Sequence, residues 1–110
     1  MSIREDIIEQ RAMQVRQAWD AILRQPEGRL AVWSILEGCH LFGQTHFGND
    51  LDGFRAGQRD IGLGILRDRV FPHGSKTFTD MQIEHADLID RLEAAAERDA
   101  ANAEKENSDE

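Results

Sequence analysis

Apolar positions along this chain recur at steps of three and four, and no stretch of five or more residues alternates cleanly. That periodicity predicts helices and no sheet. The first helix starts at Ser2, whose hydroxyl caps it with Glu5 as the reciprocal partner three residues on. Its apolar face runs Ile8, Ala12, Val15, Trp19 and Ile22, with Ile7, Ala18 and Leu23 beside it. The spacing is nearly heptad, so this face suits a partner helix as well as the chain's own core. Pro26 ends the first helix and fits the first turn of the next, which makes the pair a tight hairpin.

The second helix is expected from about Glu27 to His40, with Leu30, Trp33, Leu36 and His40 on one stripe and Val32, Ile35 and Cys39 widening it. Residues 41–50 hold Gly43, Gly48 and Asn49 and read as a loop. A third helix spans about Leu51 to Val70, capped by Asp50, with Phe54, Ile61, Ile65 and Leu66 as its apolar face. Gly53, Gly57, Gly62 and Gly64 each cost that helix roughly 1 kcal/mol against alanine, so they predict close backbone approach or a kink. Pro72-His73-Gly74-Ser75 reads as a turn, and Thr77, with Asp80 three residues on, as the cap of a fourth helix. Met81, His85, Leu88, Leu92 and Ala96 line that helix, with Ile89 adjacent. The expected fold is all-α, a small four-helix bundle or set of helical hairpins with a long N-terminal helix and an acidic C-terminal tail.

Charge divides the 110 residues into two parts. The net charge of −8 comes from 13 bases and 21 acids, and residues 93–110 alone carry −5. Past Leu92 no large apolar residue follows, so residues 2–92 form the expected helical domain and 93–110 a fraying or disordered acidic tail. A net acidic chain is a poor binder of nucleic-acid backbone or anionic membrane, and no specific nucleic-acid binding is expected. No apolar run approaches the ~20 residues of a membrane span. Acids at positions 5 and 6, with no apolar stretch behind them, argue against a secretion signal. One cysteine excludes an internal disulfide and a multi-cysteine zinc site. A chain this size builds only a thin core, so packing against copies or other proteins is expected to complete it.

Candidate chemistry is sparse. Cys39, His40, His46, His73 and His85 are the soft-ligand candidates, but none repeats a metal-site spacing. Cys39 and His40 are helix neighbours that do not face each other, and Cys39 among Ile35, Leu36 and Phe42 reads as a buried, inert thiol. Glu84, His85, Asp87, Asp90 and Glu93 make an acidic face without the second carboxylate helix that a di-metal site needs. The glycines of residues 53–64 follow no strand and precede no Gly-Lys-Ser/Thr, so they are not a nucleotide loop. Arg55, Arg59, Arg67 and Arg69 are interleaved with Asp52, Asp60 and Asp68, which leaves no clean basic stripe. Arg59, placed beside Ile61 and Gly62, is expected to be half-buried and to pair with Glu37 or Glu84. No catalytic residue, metal or cofactor is expected.

Taken in order, Gly28-Arg29, Trp33, Leu36-Glu37-Gly38-Cys39, Phe42, then Phe54-x-x-Gly57-x-Arg59-x-x-Gly62, then Phe78 and Met81-x-x-Glu84 form a spaced pattern over residues 27–85. The pattern resembles a family of small virion-associated proteins of short-tailed phages, first noted in a Bordetella phage. The resemblance implies a non-enzymatic structural protein from the head and packaging gene region. It would sit at the portal and tail vertex or in the head interior, including as an internal or ejected protein. Its partners would be portal, tail or capsid proteins and further copies of itself, and its location the virion after assembly in the host cytoplasm. Gly28, Arg29, Trp33, Glu37, Phe54, Gly57, Arg59, Gly62, Met81 and Glu84 would be the signature of the fold, with Arg29, Arg59, Glu37 and Glu84 as ion-pair candidates. The first helix lies outside the resemblance, and Ile8, Val15, Trp19 and Ile22 offer an interaction surface there. A head-assembly scaffold or core factor, and an acidic DNA mimic that inhibits a host protein, are the competing readings.

Overall fold

A computed structural model describes residues 2–43 and 47–108. Four helices carry the fold: α1 Ile3–Leu23, α2 Pro26–Gly38, α3 Asp52–Ile65 and α4 Thr77–Ser108. Among the described residues there is no strand. The architecture is all-α, as the periodicity predicts. The expected capping box opens α1: Glu5 donates its backbone N–H to Ser2 Oγ, and Ser2 donates its own to Glu5 Oε2. Pro26 occupies the first turn of α2, which closes the α1–α2 hairpin.

The end of α2 differs from expectation. The helix stops at Gly38, and His40 is an exposed residue with φ 57°, not a member of the apolar stripe. His40 donates to the Glu37 carbonyl and Leu41 to the Leu36 carbonyl, a Schellman motif with histidine in the place glycine usually holds. Leu41, expected in the loop, is thereby turned inward and joins Leu36 in the core. Leu30 is 44% exposed, while Val32, Trp33 and Leu36 are buried.

The start of α3 is also built otherwise. Leu51, not Asp50, holds the cap position. Instead the Asp52 carboxylate turns back and accepts the backbone N–H groups of Phe47, Gly48 and Asn49. The Asn49 side chain accepts the N–H of Leu51. The expected apolar face of α3 divides: Ile65 and Leu66 pack inward, whereas Phe54 and Ile61 are exposed. The inward stripe is Arg55, Arg59, Gly62 and Leu66, rotated about a quarter turn from Phe54 and Ile61.

The helix does not end at Val70. A π-helical turn, Leu66–Val70, carries it into a last helical turn at Phe71–His73. Phe71 donates to the Leu66 carbonyl, five residues back. This wider turn directly precedes Pro72, which lacks a donor and whose ring would crowd a tight α-turn. The reversal follows Gly74, and α4 begins with the Lys76 carbonyl accepting from Asp80. Thr77 is therefore the first residue inside α4 and is buried; it is not the cap.

Leu23, Val32, Trp33, Leu36, Leu41, Leu66, Val70 and Met81 form the core, with Trp19, Ile65 and Phe78 packed against it. That core sits where the second half of α1, all of α2, the π turn and the first half of α4 converge. Both long helices leave it. The first turns of α1 are exposed, and from Leu92, itself 57% exposed, α4 continues as helix through Ser108 with almost every residue exposed. The molecule measures 79 × 39 × 23 Å with a radius of gyration of 20.6 Å. A compact chain of this length has ~13 Å. The difference comes from α4, whose 32 residues reach ~48 Å, and from the free end of α1.

Candidate functional site at the junction of α1, α2 and α4

One polar cluster ties three helices together. Arg29 on α2 donates from Nε to both Glu84 oxygens at 3.0 Å and from Nη2 to Oε1 at 2.7 Å. Its Nη1 donates to the carbonyl of Leu23, at the end of α1. The guanidinium thus fixes the hairpin corner and the crossing of α4 at once, which a lysine's single ammonium would not reproduce. The Glu84 hydrogen bond raises the Arg29 pKa above its ordinary value, against the opposing effect of partial burial.

Gly28, one residue before, packs against the same corner. A Cβ there would lie 1.9 Å from the Ile22 carbonyl oxygen. Trp33, one turn further along α2, is buried and stacks on Phe42 at 4.9 Å between ring centres. His85 lies 5.3 Å and Phe78 5.9 Å from the same ring. The buried Trp33 Nε1 has no hydrogen-bond partner among the described residues. Glu37 approaches His85 at 3.8 Å. Met81 fills the space beneath, 1% exposed. Above them an open groove of about 710 Å³ runs between α2 and α4. Pro26, Leu30, Trp33 and Leu88 give it apolar walls, and Glu27, Asp87, Asp90 and Arg91 line it with charges of both signs.

Six of the ten signature residues therefore meet at one junction: Gly28, Arg29, Trp33, Glu37, Met81 and Glu84. Gly62 serves a second contact, where α3 passes α2; a Cβ there would lie 2.9 Å from Cys39 Cβ. Close approach accounts for this glycine alone among the four of α3, since Gly53 and Gly57 face open space and Gly64 only the flexible end of Arg67. Phe54 is exposed and Gly57 faces open space. Arg59 is half-buried as expected, but it pairs with neither expected acid, because Glu84 is held by Arg29 and Glu37 lies against His85.

Of the α1 surface, Trp19 packs against the core edge beneath the Arg69 guanidinium, 5.9 Å from its ring centre. Val15 is half-buried, Ile8 is 61% exposed and Ile22 44% exposed. A contact that periodicity does not announce joins α1 to the end of α3, where His73 Nδ1 lies 3.0 Å from Asp20 Oδ1. Its only trace in the sequence is a histidine directly after Pro72.

Among the described residues no group of three or more His, Cys, Asp or Glu side chains is placed to hold a metal. His46 lies outside the described residues. Cys39 is half-buried with its Cβ against Gly62. No helix of the structure is long and apolar enough to cross a membrane. The junction can hold helices in register, and its groove can receive an apolar side chain. Compared with known proteins, the chain matches no family model, no curated protein and no solved structure.

Proposed function

We propose that this chain is a non-enzymatic structural component of a phage particle, seated at the portal and tail vertex or in the head interior. The observation that carries the reading is the balance of apolar side chains. Eight are buried, while seventeen large ones are exposed among the described residues. Scattered exposed apolar residues are ordinary, but such an excess over a thin core suits a protein completed by neighbours. The spaced pattern over residues 27–85 supplies the phage assignment. The Arg29–Glu84 junction supports it by giving six of those residues one shared structural task.

Mass spectrometry of purified particles of the phage that encodes the chain tests the reading. The chain is expected in mature particles at a fixed ratio to the portal protein. Its absence from mature particles overturns the proposal, and presence in proheads alone supports the scaffold reading instead.

One observation favours a second reading, an acidic mimic of nucleic acid. Glu93, Glu97, Asp99, Glu104 and Glu106 lie on the continuous helix α4. Capture of a host DNA-binding protein that is lost on deleting residues 93–110 would favour it.

A further inference from the structure

We propose that α1 pairs with α1 of a second copy of this chain, antiparallel, through the seam of Ile8, Ala12, Val15 and Trp19. The seam steps alternate four and three residues, the repeat that keeps one side of a helix against a partner helix. The chain itself takes up only part of this face: Leu23 is buried and Val15 and Trp19 partly so, while Ile8 and Ala12 are exposed.

Size and charge select the antiparallel arrangement. Centred between Met13 and Gln14, it sets Ile8 against Trp19 of the second copy and Ala12 against its Val15. Large faces medium and small faces medium in every layer. A parallel pair would oppose Trp19 to Trp19 and Ala12 to Ala12, which leaves one layer overfilled and one empty. The antiparallel pair also brings Glu9 to Arg16 of the second copy, twice across the two-fold axis. Glu9 and Arg16 are exposed, and neither makes an ion pair within the chain among the described residues. A parallel pair would set Arg11 against Arg16, like charge on like. The self-complementary patch is what a two-fold contact requires.

This pairing rests on α1 alone and not on the particle reading. A chain that dimerises but is missing from particles keeps the pairing and loses the virion role. A monomer found in particles does the reverse.

Sedimentation equilibrium of the full chain over a concentration series tests it. The wild-type chain is expected to dimerise, and Glu9→Arg and Arg16→Glu each to weaken the dimer roughly tenfold or more, since two attractions become repulsions. An equimolar mixture of the two variants is expected to recover wild-type association. In a mixed dimer one chain brings two bases to the seam and the other two acids, so both contacts across the axis again join opposite charges. Circular dichroism confirms that each exposed substitution leaves the helices intact. A single-chain mass at every concentration overturns the proposal. So does a dimer indifferent to both reversals, or a mixture that fails to recover.

Discussion

Arg29 and Glu84, 55 residues apart in sequence, are joined by three hydrogen bonds that set where α4 crosses the α1–α2 hairpin. Their side chains keep 19% and 38% of their surface exposed, so solvent screens the charge and the geometry supplies most of the benefit. A double-mutant cycle of Arg29→Ala and Glu84→Ala in urea is expected to give a coupling of about 1 kcal/mol. Arg29→Lys should recover less than half of it. A coupling of zero would mean that the crossing is fixed by Trp33 and Met81 alone.

The glycines predict opposite outcomes for one chemical change. Gly28→Ala drives a methyl into the Ile22 carbonyl and should cost ~2 kcal/mol or more, because backbone must move. Gly62→Ala meets Cys39 Cβ at 2.9 Å and should cost ~1 kcal/mol, partly relieved by Cys39→Gly. Gly57→Ala enters open space on a helix and should gain up to ~1 kcal/mol. Chemical denaturation of the three single variants measures the contrast.

These glycines also mark how far the sequence can be read. Their number on one helix announces a close approach, but not which of them makes it, because that depends on where α2 passes. The apolar face of α3 escapes the sequence for the same reason. Phe54 and Ile61 have the right spacing, yet the helix turns Arg55, Arg59, Gly62 and Leu66 inward, and rotation about a helix axis is set by neighbours. Local signals are more direct: the Ser2–Glu5 box and Pro26 at the first turn of α2 need only adjacent residues. The junction is half legible. The resemblance offers Arg29, Arg59, Glu37 and Glu84 as ion-pair candidates, but which of them pair requires the crossing of α4 over α2.

His40 holds a left-handed conformation that costs an L-residue about 1 kcal/mol. His40→Gly should therefore stabilise the fold by roughly 0.5 kcal/mol, after the greater freedom of glycine in the unfolded chain is subtracted. His40→Val should destabilise it by more than that. Thermal unfolding of both variants gives the sign.

The distal half of α4 makes no contribution to the core. Deleting residues 93–110 should leave the unfolding free energy within ~0.5 kcal/mol of the full chain, while helical circular dichroism falls. In hydrogen exchange, the amides beyond Leu92 should exchange quickly and those of Trp33 and Leu36 slowly.

A thin core leaves surface for another copy to cover, and light scattering of the purified full chain, measured as concentration rises, tests this most directly. The mass should climb from that of one 12.5 kDa chain to twice that value and stop there. A mass that stays at one chain throughout, from a protein that still unfolds cooperatively, would contradict it.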